Sequence, residues 1–215
     1  MRRSLFVVAV CVIALAASTT SHHQRHATAK ASDAFDVYFG HDAVSRNMVR
    51  LVATTCGTER WPVKTGTDYD RNKIHQQAVN STIKYLDSRP EPSSRPQANR
   101  IRPVEVTTYE VTASLVEYKE EDDSDYHLVL RDGRGRTMIA EIPAPSCVGR
   151  MSPERSKIVA ARRWFNQHYV VTSDFKNAGQ RVTVTGVGFF DYLHGQTGVA
   201  PNGIELHPVT AIQSP

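Results

Sequence analysis

Cysteine is scarce in this chain, with three in 215 residues. Aromatic residues make up only 8%. That leaves no obvious stacking stripe for single-stranded nucleic acid, which such binders lay out along a groove. A strong excess of charge is missing too. The formal net charge is +4, part of it from Arg2 and Arg3, and the remaining basic residues are scattered, without the clustered lysine and arginine of a dedicated polyanion binder. Long apolar runs are confined to Leu5–Ala17, which is shorter than the roughly 20 residues a membrane-spanning helix needs. No Gly-x-Ser-x-Gly, His-Glu-x-x-His or Gly-Lys-Ser/Thr pattern occurs, so the common hydrolase and phosphate-loop signatures are excluded.

The N-terminus is informative. Arg2 and Arg3 precede the apolar run, and Ala14-Leu15-Ala16 offers a small-residue cleavage site, the layout of a secretory signal over 1–16. We therefore expect a secreted, periplasmic or extracellular mature chain beginning at Ala17, with Cys11 lost in the signal. Cys56 and Cys147 remain for an oxidising compartment, and a single disulfide is the expected pairing. Closing a loop of about 90 residues stabilises by up to about 4–5 kcal/mol in the chain-entropy model.

Residues 17–34 are polar, with His22, His23 and His26 close together, and read as a disordered leader. Residues 35–87 form an N-terminal extension with core-forming Trp61 and Val63 and a short helix near Thr82–Asp87, capped by Asn80 or Ser81. Residues 88–103 are proline-rich and read as a linker.

From 104 to 215 the pattern changes to period two. Tyr109, Val111, Ala113 and Leu115 alternate with polar neighbours. Tyr126, Leu128 and Leu130 follow, then an Asp132–Gly135 turn, then Met138, Ala140 and Ile142. Ser152 and Pro153 open a helix whose stripe is Ile158, Ala161 and Phe165. Val182 and Val184 open a fourth strand, and Gly186 and Gly188 within it predict a bulge or bend. Ile204 and Leu206 point inward on the fifth, with Glu205 and His207 outward and Pro208 at an edge or bulge position. Three strands, a helix and two strands are the outline of a mainly β, five-stranded OB-fold-like Greek-key barrel, with one helix between strands three and four.

Four segments carry a further resemblance: Cys56–Trp61 with Val63–Thr65, Asp122–Leu130, Thr137–Cys147 and above all Gly186–Val209. They resemble a group of exported bacterial proteins of unknown function. The resemblance implies an exported protein with a compact β-rich domain and assigns no activity to any residue.

Chemistry-bearing residues fall into three sets. The acidic run Glu117, Glu120, Glu121, Asp122, Asp123 and Asp125 lacks EF-hand spacing and reads as solvated loop charge. His127, His194 and His207 with Glu205 have zinc-compatible donors but no short-spaced ligand pair, so a metal role is left open and no cofactor is expected. The loop 192–203, with its three glycines, is the strand-four-to-five connection that an OB-fold uses to grip ligand. The expected ligand surface therefore comprises Tyr118, His127, Arg131, His194, Gln196, Thr197, Asn202, Glu205 and His207. It would take a neutral polar partner, a glycan or a peptide, without catalysis. A structural or envelope-interaction role is the second reading. A metal-dependent hydrolase, using the acids with Arg131, Arg134, Arg136 and Glu141, or a nucleic-acid binder comes third.

Overall fold

In a computed structural model of the chain, residues 55–215 are described. The expected signal segment (1–16), the expected leader (17–34) and residues 35–54 of the expected extension lie outside them. The described elements are α1 (Trp61–Thr65), β1 (His75–Ser81), α2 (Ile83–Asp87), β2 (Thr107–Glu120), β3 (Tyr126–Arg131), β4 (Thr137–Ile142), α3 (Arg155–His168), β5 (Lys176–Phe190) and β6 (Ile204–Gln213), with short 3₁₀ turns at Arg71–Lys73 and Val104–Val106.

The fold is mainly β, with six strands in one sheet ordered β1-β2-β3-β4-β6-β5 and a further pairing of β2 with β5. The hydrogen-bonded pairs therefore run in a circuit from β2 through β3, β4, β6 and β5 back to β2. All these pairs are antiparallel except β4 with β6. β2 is long enough to serve three neighbours: its first residues pair with β1 in parallel, its last with β3, and most of its length with β5. The inward residues of the period-two pattern meet α3 in one core. Leu115, Leu128, Leu130, Met138 and Leu206 pack there with Ile158, Ala161 and Phe165, and Tyr118 and Tyr126 set their rings against Phe165.

Glycine does its work at two points. Gly186 and Gly188 coincide with register shifts between β5 and β6, as their place inside a strand predicted. A Cβ on Gly188 would stand 2.7 Å from the Val104 carbonyl oxygen, so no larger residue fits. Pro208 lies opposite the same irregularity.

Two readings of the sequence need correction. Asn80 and Ser81 do not cap α2; the Thr82 side chain accepts from the Tyr85 N–H, because Asn80 and Ser81 still belong to β1. Ser152 does not flank α3 directly either: its hydroxyl accepts from the N–H of Glu154, which takes the cap position before Arg155.

Residues 88–103 carry no helix or strand, yet they are pinned rather than loose. Arg60, fully buried and in the left-handed region at φ 48°, reaches into them. Its Nε donates to the Pro96 carbonyl and its Nη2 to that of Asn99. The same guanidinium clasps Glu105 through both nitrogens, at 2.7 and 2.9 Å, and donates to the Phe190 carbonyl. A second buried pair, Arg100 with Asp68 at 2.8 Å, ties the segment to the turn after α1. Buried guanidinium groups demand all their donors satisfied, and irregular backbone supplies the free carbonyls. The proline-rich composition that reads as a tether supplies acceptors instead.

Candidate functional site

The expected ligand surface drew on the outward side of β2–β4, with Glu205 and His207 of β6, and a binding face there would have to be open. It is covered. Phe189, Val129 and Ile139 are as buried there as the inner core, because α1 and the loop 192–203 lie across it. Gly198 sits so close to Val129 that a Cβ would stand 2.5 Å from it, and the Arg60 and Lys64 side chains lie over the Phe189 ring at 4.7 and 5.5 Å. Cys56, just before α1, lies at disulfide-bonding distance from Cys147, with Cα atoms 5.5 Å apart. The cover is thus fixed to the segment between β4 and α3.

Beneath the cover lies a buried cluster of acids and bases. Period two on β3 and β6 and the register of β3 with β4 place His127 beside Glu141, and His207 two residues from Glu205. His127 Nδ1 is 3.2 Å from Glu141 and its Nε2 is 2.9 Å from the Thr197 carbonyl. His207 Nδ1 is 2.9 Å from the other Glu141 oxygen and 3.1 Å from Glu205, while its Nε2 faces Asp125 at 3.3 Å. Lys64, from α1, bonds Asp191 at 3.2 Å. Asp125 also accepts from the Ala144 N–H.

Burial and crowding set the charge states. Desolvation opposes charge on His207, but Asp125, Glu141 and Glu205 outweigh it and raise its pKa well above 6.5. The same contest, against Glu141 and Glu121, raises His127. Burial, then the charges of Glu141 and Asp191, push Glu205 up to about 8. Glu141 goes the other way. Burial works to raise it, but both histidines and Lys64 hold it well below 4.5. Lys64 is desolvated yet held protonated far above its usual value by Glu141, Glu205 and Asp191.

The expected ligand residues therefore divide. His127, Glu205 and His207 are brought together, but buried. Tyr118 is buried with its hydroxyl on the Val170 carbonyl. Asn202 is buried and donates to the Leu86 and Arg89 carbonyls, fastening the loop to the end of α2. Gln196 folds back, accepting from the His194 N–H and donating to the Tyr192 carbonyl. Arg131, Thr197 and His194 are exposed, and the His194 ring meets Glu59 at 3.1 Å. The acidic run is only partly solvated: Asp125 is buried. Lys64, Asp191 and Glu141 join the cluster without having been singled out as its members.

A second feature escaped the sequence altogether. β1, His-Gln-Gln-Ala-Val-Asn-Ser, is the edge of the sheet and has no second partner strand among the described residues. It is exposed along nearly its whole length. Beside it runs a groove of about 520 Å³ between Val79, Tyr85, Pro103, Thr107 and Tyr109, in which Val79 is 52% and Tyr85 48% exposed.

No helix of the described residues is long and apolar enough to cross a membrane. No family model matches the chain, and no curated protein matches it.

Proposed function

We propose that this is an exported, non-enzymatic binding protein, built on a five-stranded OB-fold-like barrel with β1 added to it, and that its ligand is an extended peptide laid along the edge of β1. Support for the barrel comes from the circuit of pairings, with a helix between its third and fourth strands. Support for export comes from the signal-like N-terminus and the Cys56–Cys147 pair.

The observation that carries the ligand reading is the exposed β1 edge beside an apolar groove. An edge strand presents free N–H and C=O groups to another backbone, and a flanking pocket takes alternate side chains of the added strand. A glycan has no such ladder to offer, which favours peptide between the two neutral polar ligands. Val79 and Tyr85 would contact an apolar side chain of the peptide.

Panning a library of extended peptides against the mature protein tests this. The expected outcome is retention of apolar-containing peptides whose affinity drops about tenfold or more with Val79→Lys or Tyr85→Ala, or on backbone N-methylation of the peptide. His194→Ala, on the exposed loop, should leave affinity unchanged. Binding indifferent to N-methylation and to both β1-side substitutions would overturn the placement. Retention of no peptide at all would favour a structural envelope role, which the disulfide and the buried ion pairs also suit.

A further inference from the structure

We propose that the buried cluster holds a divalent transition-metal ion of the zinc type, bound by Asp125 Oδ2, His207 Nε2 and a Glu141 carboxylate oxygen. Two polar atoms in the cluster carry the inference. Asp125 Oδ2 and His207 Nε2 are completely buried, and neither has a hydrogen-bond partner. They face each other at 3.3 Å without the alignment of a hydrogen bond. A buried polar atom left unsatisfied costs free energy, and two that point at one spot call for a third party. Two donors of one tetrahedral ion with bonds near 2.0–2.1 Å stand about 3.3 Å apart, which is the separation found.

The rest of the imidazole is arranged to suit. Nδ1 donates to Glu205 at 3.1 Å and so keeps its proton. Nε2 faces Asp125 at 3.3 Å, and an ion bound there displaces the proton that the metal-free ring carries. Carboxylate on one ring nitrogen and metal on the other is the usual way a ligating histidine is oriented. One donor atom each from Asp125, Glu141 and His207 lies within 4.8 Å of the others, which makes Glu141 the nearest further carboxylate for such an ion. Mixed nitrogen and oxygen donors select zinc-like ions over Ca²⁺, which takes oxygen ligands alone. A surface pocket of about 340 Å³, lined by Lys119, Glu120, Glu121, Asp122, Asp123 and Ser173, lies beside His127, with Glu121 at 3.4 Å from that ring.

The test uses the full mature chain, stripped with chelator and titrated with Zn²⁺ by calorimetry. One Zn²⁺ per chain is expected, with binding weakened about tenfold or more in Asp125→Asn and unchanged in His194→Ala. Since Asp125→Asn also touches folding, a second measurement uses the unaltered protein: nitrogen-15 spectra of its histidine rings, in which Zn²⁺ should shift the Nε2 signal of His207. Absence of Zn²⁺ binding by the unaltered protein, a His207 signal unmoved by bound Zn²⁺, or full binding by folded Asp125→Asn would each overturn the proposal.

Discussion

Glu205 and His207 share a strand and a hydrogen bond, and they pull stability in the same direction as pH changes. Glu205 is raised from 4.5 to about 8, and His207 is raised above 6.5. At both, the native state holds a proton that the unfolded chain gives up earlier, so stability falls as pH rises from about 6.5 to 8. Glu141, held below 4.5, works oppositely, but its contribution is already complete in that window and is lost only on acidification. Urea midpoints of the chelator-stripped protein measured across pH 6–9 should therefore decline, and decline less steeply in Glu205→Gln; a flat or rising profile would contradict the assigned proton positions. Glu105 offers a sharper test. Its carboxylate accepts from Arg60 and from the Ile101 and Phe190 N–H groups, all in the interior. Glu105→Gln leaves a buried guanidinium without its counter-charge, and chemical denaturation should show a loss of about 3–5 kcal/mol.

Among the elements, the disulfide and α1 act as one unit. Cys56 and Cys147 are separated by 91 positions, so reduction should cost up to about 4–5 kcal/mol in denaturant titrations. Peptide mapping without reductant should recover Cys56 and Cys147 on linked fragments, and two free thiols would refute the pairing. The five strands β2–β6 and α3 could be read from the sequence, since alternation such as Leu128, Leu130 over His127, Val129 needs only one apolar core to make sense. β1 could not. His75–Ser81 has poor strand formers and no alternation, and it is a strand because β2 offers it an edge. The site was half legible for a similar reason. Period two correctly put His127, Glu205 and His207 on the face away from the core, but no local pattern tells that a distant segment bearing Lys64 covers that face. A charged residue between apolar neighbours looks the same whether solvent or another carboxylate awaits it.

At the scale of the whole molecule, residues 55–103 are part of the same packed body as the strands, tied in by Arg60 and Arg100. Limited proteolysis with a broad-specificity protease should then leave 88–103 uncut under native conditions despite its composition. Early scission there, ahead of global unfolding, would show that the pinning contacts are weak.

Arg60 also imposes an order in time. Its acceptors lie 36 to 130 positions further along the chain, the last being the Phe190 carbonyl. A chain that emerges from its N-terminus presents this guanidinium long before the strand end that completes its shell. Until β5 has been made and paired, Arg60 is better off in water, and the cover over the histidines cannot close. The sheet must assemble first, with its polar face still wet, and docking of residues 55–65 is the event that dries it.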